Sequence, residues 1–214
     1  MASEATSDPL EATAGVASSL ARETRSLDDR LTLIATRMTI VSLSFFFACF
    51  YFAQTYLQLI NQNGMWKPAG LDHPSAVIGG LELGLMLASG LAYFGAQWAG
   101  LYRRNFRRLT LGLWIAFFLG LGALGVHIAE FYKLGFGPQA GGYASVFIAT
   151  EGVFTGLLVV AVLVLFGVAN RARLGYYQAS GIAVEAFGEF WGWMSAIALM
   201  SFLALYVQPF FPIK

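Results

Sequence analysis

The sequence predicts an all-α membrane protein, a bundle of five transmembrane helices with its N-terminus inside and its C-terminus outside. Three observations predict it. Of 214 residues, 57% are apolar and 12% are charged, against about 25% charged in an ordinary soluble domain. Mean hydropathy is +0.65. Apolar runs approaching the roughly 20 residues that a spanning helix needs recur five times between loop-forming residues. This composition excludes a soluble enzyme, a disordered chain and a secreted disulfide scaffold. The one cysteine, Cys49, cannot form an internal bridge. Inside an apolar run it reads as a small core residue.

Residues 1–25 are rich in Ala, Ser, Thr and Glu and carry no apolar block. They read as a flexible polar tail, not a signal peptide. Residues 26–214 read as the bundle. Ser26-Leu27-Asp28-Asp29 has capping-box spacing, with both carboxylates where a helix dipole favours them. Leu27, Leu31 and Ile34 repeat at helical spacing, so a helix is expected from near Leu27. Over residues 27–60 it would be roughly 50 Å long, more than the roughly 30 Å apolar slab. Its first turns should therefore project into water.

The spans are expected at about 38–60, 75–98, 109–131, 143–168 and 187–207. Asn63-Gly64, Pro68-Ala69-Gly70, Gly135-Phe136-Gly137-Pro138 and Gly141-Gly142 supply loop chemistry between them. The runs are continuous and do not alternate, which argues against strands.

Basic residues in short loops set orientation. Arg22, Arg25, Arg30 and Arg37 precede span one. Arg103, Arg104, Arg107 and Arg108 separate spans two and three, and Arg171 and Arg173 separate spans four and five. Lys67, Lys133 and Lys214 fall on the opposite side. The arginines between spans two and three read as topology signals and not as a nucleic-acid site. Trp66, Trp98, Tyr102, Tyr176, Tyr177 and Tyr206 fall near the interfaces and read as an aromatic belt.

Lipid gives no hydrophobic drive for helix association, so small residues that allow close approach mark packing faces. Span two carries Gly80, Gly84, Ala88, Ala92 and Ala96 at four-residue intervals. Glu82, Ser89, Tyr93 and Gln97 lie nearly opposite, so this span should be sandwiched. Span three carries Gly112, Ala116, Gly120 and Ala123, a stripe that continues into His127 and Glu130. Span four offers Gly152 and Gly156.

Ionisable groups inside a bilayer are costly and are functional candidates by default. Glu82, His127, Glu130 and Glu151 qualify, all in the outer half of their spans, and they could meet if spans two, three and four are neighbours. Three readings stand: hydrogen-bonded glue between helices, a proton relay or gate, and a metal site built on His127-x-x-Glu130. His73 precedes Pro74 in a loop and reads as solvated, which argues against paired haem ligation within this chain. Glu185 and Glu189 suit the start of span five or could meet Arg171 and Arg173. There is no phosphate-binding loop, dinucleotide fingerprint or CxxC pair.

A set of collinear segments resembles subunit III of the haem-copper oxidases. Gly125-Val126-His127-Ile128-Ala129-Glu130-Phe131 resembles that subunit's Gln-x-x-Glu-Tyr segment, with His in the Gln position. Tyr143-Ala144-Ser145-Val146-Phe147 resembles its Tyr-Gly-Ser-x-Phe segment. Leu87-Ala88-Ser89-Gly90 in span two resembles its Leu-Leu-x-Ser-Gly/Ser segment, and Glu82 matches an acidic residue of the quinol-oxidase branch. Phe46-Phe47-Ala48, Trp66-Lys67-Pro68 and Val184-Glu185-Ala186 with Trp191 follow the same order. The resemblance covers residues 38–207 and fits the five-span bacterial form. Three departures mark a divergent member. Leu43 replaces a membrane glutamate, Glu151-Gly152-Val153-Phe154-Thr155-Gly156 replaces a histidine-rich segment, and Gly192-Trp193-Met194-Ser195 replaces His-Phe-x-Asp.

The resemblance implies a non-catalytic subunit in a bacterial plasma membrane, with no catalytic, cofactor-binding or metal residue of its own. Haem and copper would reside in partners, oxidase subunit I and also subunit II. Bound phospholipid and support of proton uptake are further expectations, the loss at Leu43 favouring scaffold and lipid roles. Two alternatives stay open: an accessory protein of nitric oxide reductase, and a stand-alone protein using Glu82, His127, Glu130 and Glu151 for metal or proton-coupled transport.

Overall fold

The structure is a computed structural model and describes residues 9–61, 64, 66–68, 70, 71, 74–178 and 180–210. Five helices order the chain: α1 (Pro9–Leu59), α2 (Ala76–Gln97), α3 (Phe106–Lys133), α4 (Gly142–Arg173) and α5 (Ile182–Ser201). Each contains a stretch long and apolar enough to cross a membrane. No strand occurs among the described residues. His73, Asn63, Ala69 and Lys214, and the tail before Pro9, lie outside them.

Local chemistry explains several helix ends. The Ser75 hydroxyl accepts from the Ile78 amide at 3.4 Å and opens α2. The Asn105 carbonyl oxygen of the side chain accepts from the Arg108 amide at 3.1 Å and opens α3. Gly141 (φ 152°) precedes α4 and Gly175 (φ 78°) follows it, backbone conformations that glycine adopts without steric cost. Two π-helical segments extend the bundle, Trp98–Tyr102 after α2 and Phe202–Val207 after α5.

The first helix departs from expectation. It begins at Pro9, not near Leu27, and at 51 residues it is about 77 Å long. Pro9 occupies a position where its missing N–H costs nothing. Ala12, Ala14, Ala17 and Ala21 supply helix propensity that their polar neighbours masked. Ser26 therefore lies mid-helix. Helices α3 and α4 run a few residues past their expected ends, into the arginines, whose long stems can lie along the bundle while the heads reach water. Helix α2 keeps close to its expected bounds, and α5 starts early, at Ile182.

Helix α2 packs on α3 and α5, α3 packs on α4, and α1 packs on α5 and α4. The core is centred on Trp191, Tyr93, Phe47, Met86, Leu113, Leu158 and Met194, all fully buried. A smaller cluster of Trp66, Tyr143, Phe147, Leu205 and Tyr206 closes the end opposite the arginines.

Only part of the small-residue pattern lies within this packing. A methyl on Gly112 would sit 2.5 Å from the Ala96 Cβ, so α2 and α3 touch almost backbone to backbone there. A methyl on Gly120 would sit 2.8 Å from the Trp191 ring, and Ala116 is fully buried beside it. Gly80 faces the Phe202 ring, and Ala88 is half-buried. Gly84, Gly152 and Gly156 face open space, so among the described residues they hold no neighbouring helix. The four-residue repeat identifies a face but not whether the chain itself covers it.

Three further expectations are corrected. Cys49 is exposed on α1, because α1 buries only a narrow strip against α4 and α5. Trp66, Tyr177 and Tyr206 are buried packing residues, whereas Trp98, Tyr102 and Tyr176 are exposed as a belt would require. Glu189 pairs with Arg37 of α1 at 2.7 Å, not with Arg171 or Arg173.

Candidate functional site

Glu82 lies six residues past the start of α2, His127 six before the end of α3, and Glu151 nine past the start of α4. At 1.5 Å per residue these depths are about 9, 9 and 14 Å from one end of the bundle. His127 brings the three together. Its Nδ1 is 2.8 Å from Glu82 Oε2 and 3.8 Å from Glu151 Oε2. All three residues are buried. The rings of Phe131 and Phe154 flank the imidazole at 5.4 and 5.7 Å.

Donor counting constrains the protons. The Thr155 hydroxyl donates to the Glu151 backbone carbonyl at 2.6 Å. Its oxygen also lies 2.6 Å from His127 Nε2. With its own proton spent on the carbonyl, Thr155 accepts, so Nε2 carries a hydrogen. One proton then lies between Nδ1 and Glu82 Oε2. Whichever atom holds it, the Glu82–His127 pair has no net charge, as a buried pair in an apolar slab requires.

Glu130 points elsewhere. It accepts a hydrogen bond from the Tyr206 hydroxyl at 2.9 Å, and its Oε1 has no partner. The His127-x-x-Glu130 spacing therefore does not converge on one point. Among the described residues no group of three or more His, Cys, Asp or Glu side chains is arranged to hold a metal ion.

Tyr206 reaches Glu130 because of two local features. Gly79 leaves a gap on α2, where an added methyl would lie 2.7 Å from the tyrosine ring. The π-helical segment Phe202–Val207 turns the end of α5 and carries Tyr206 over that gap. The carbonyls of the same segment are exposed to other helices. Tyr143 donates to the Leu205 carbonyl at 2.8 Å, and the Gln54 side chain donates to the Ala204 carbonyl. A π-turn inserted at a functional site is a common use of that geometry.

A cavity of about 10 Å³ lies between Glu82, Glu151, Ser201 and Tyr206. That is about the space one water needs. The Ser201 hydroxyl also meets the Tyr51 hydroxyl of α1 at 3.0 Å. A larger surface pocket, about 260 Å³, opens at the same end of the bundle between Ser75, Ile78, Glu130 and Lys133.

Nearer the middle of the bundle, Ser89 ties three helices. It donates to the Ala116 carbonyl at 2.6 Å and accepts from the Trp191 indole at 3.1 Å. Tyr93 donates to the Val184 carbonyl at 2.7 Å. In the loop after span one, Lys67 lies over the Tyr143 ring, 5.5 Å from its centre, and partial burial pushes its pKa below the usual lysine value. At the arginine end, burial pushes the Tyr177 phenol upward, opposed by nearby Arg171.

The four ionisable residues singled out by sequence thus share one neighbourhood, with Glu130 related to the other three through Tyr206, which lines the same small cavity as Glu82 and Glu151. Thr155, Tyr206, Ser201 and Tyr51 were not anticipated. Thr155 was within reach, because it stands one helical turn from Glu151. No model of a known protein family matches the chain.

Proposed function

We propose that the chain is a non-catalytic subunit of a haem-copper terminal oxidase in a bacterial plasma membrane, stabilising the catalytic subunit, binding lipid and supporting proton uptake. One observation carries the reading. The polar residues that resemble the subunit III segments serve as ties between helices. Ser89 joins α2, α3 and α5, Tyr143 joins α4 to the end of α5, and Glu130 joins α3 to the same segment. Side chains committed to internal hydrogen bonds make a stiff bundle, and they leave wide apolar outer faces for a partner and for lipid. Those faces include Phe45, Phe52 and Tyr56 of α1 and Leu163 of α4. The chain would act by packing, with haem and copper held in the partners.

The test is isolation of the tagged full-length chain from its native membrane in mild detergent. Co-purification with a haem-bearing subunit that consumes oxygen supports the proposal. A haem partner that consumes nitric oxide instead moves the chain to the nitric oxide reductases. A chain recovered alone, without a haem spectrum, overturns the proposal.

A further inference from the structure

We propose that Glu130 and Tyr206 form a proton entry that connects the surface pocket beside Lys133 to the buried Glu82–His127–Glu151 cluster. This goes beyond the subunit reading and does not depend on it, since every group involved belongs to this chain.

Geometry carries the inference. Glu130 is only 5% exposed, yet it lines the surface pocket, and one of its carboxyl oxygens has no hydrogen-bond partner. A buried oxygen left without a partner is costly, so its retention calls for a visiting ligand. The other carboxyl oxygen holds Tyr206 at 2.9 Å. Tyr206 in turn lines the small cavity shared with Glu82 and Glu151. From Glu82 the path continues over 2.8 Å to His127. Every station is a group that can both give and take a proton. Thr155 closes the inner end, because its hydroxyl is fixed on the Glu151 carbonyl.

The transfer balances without any other reactant. Glu130 takes a proton from the pocket. Protonation of Glu130 frees the Tyr206 hydroxyl to turn from Oε2 toward the cavity; it passes its own proton there and receives the one on Glu130, which returns the carboxylate to its first state. Glu82, Glu151 or His127 takes up the delivered proton. The cluster therefore fills and empties from one end of the bundle. The ionisable groups around it are Tyr51 on α1, Glu82 on α2, His127, Glu130 and Lys133 on α3, Tyr143 and Glu151 on α4, and Tyr206 beyond α5.

The experiment follows solvent exchange at the His127 ring by nitrogen-15 NMR of the full-length chain in lipid nanodiscs. A His73→Gln background leaves one histidine. Tyr206→Phe keeps the ring on Gly79 and removes the hydroxyl. We expect exchange to slow roughly a hundredfold in Tyr206→Phe and in Glu130→Gln, the low end of what one positioned proton-transfer group contributes. Glu130→Asp should restore much of it. Unchanged exchange in both variants overturns the proposal. A second measurement needs only the His73→Gln background. In sealed vesicles with pH stepped on one face, the His127 signal should follow the face bearing Ser75 and Lys133. A signal that follows the arginine-bearing face, or neither face, overturns the proposal equally.

Discussion

His127 illustrates how a single side chain can be over-determined. It is held at Nδ1 by Glu82 and at Nε2 by Thr155, and it is flanked by the rings of Phe131 and Phe154. Replacing it with phenylalanine keeps the shape but leaves Glu82 unpaired. His127→Phe should destabilise the detergent-solubilised chain by about 3 kcal/mol, the cost of breaking a buried pair from one side. Adding Glu82→Gln to it should recover part of that loss, because a neutral amide is cheaper to bury than a carboxylate. Thermal unfolding followed by circular dichroism measures both, and equal stability of the single and double variants would contradict the pairing. Ser89→Ala should cost about 1 kcal/mol, in line with hydrogen bonds between membrane helices. Glu82, His127 and Glu151 were legible in the sequence because ionisable groups are rare in apolar runs. Tyr206 was not, because a tyrosine near a span end reads equally well as a belt residue, and only the π-helical turn and the gap at Gly79 bring it inward.

Helices α2 and α3 show what a small-residue repeat does and does not say. Gly112 and Gly84 occupy similar repeats, yet a methyl on one meets Ala96 and on the other meets nothing within 4 Å among the described residues. Gly112→Leu should therefore disrupt α2–α3 packing, lowering the melting temperature of the isolated chain. Gly84→Leu should leave that temperature within error. If Gly84→Leu nevertheless weakens recovery of partner subunits, the open face of α2 is a contact for another chain, and the same comparison applies to Gly152 and Gly156. Helix existence and span order were legible because long apolar runs allow few alternatives. The start of α1 was not, because residues 9–25 combine alanines that favour helix with serines and threonines that favour caps and turns. Gly79→Ala offers an element-level check of the entry route: its methyl would push the Tyr206 ring off α2, so His127 exchange should slow as in Tyr206→Phe.

At the scale of the whole molecule, charge is segregated along the bundle axis. Arg30, Arg37, Arg103, Arg104, Arg107, Arg108, Arg171 and Arg173 gather toward one end, while Lys67 and Lys133 lie toward the other. By the positive-inside rule the arginine end is expected in the cytoplasm. A protease added to intact cells should leave residues 9–30 uncut, and cleavage there would reverse the assignment. The charge of +1 is thus the sum of two opposed ends, not an even spread. The outward position of Cys49 has a practical consequence. The sequence contains one cysteine, and it sits on the face of α1 turned away from the bundle. A nitroxide attached to that sulfur samples the surroundings of the chain without any engineered site. Dissolved oxygen, which concentrates in acyl chains, should relax such a probe strongly when α1 borders lipid. Docking of another subunit over α1 would shield it, so one spectroscopic label distinguishes a free flank from an occupied one.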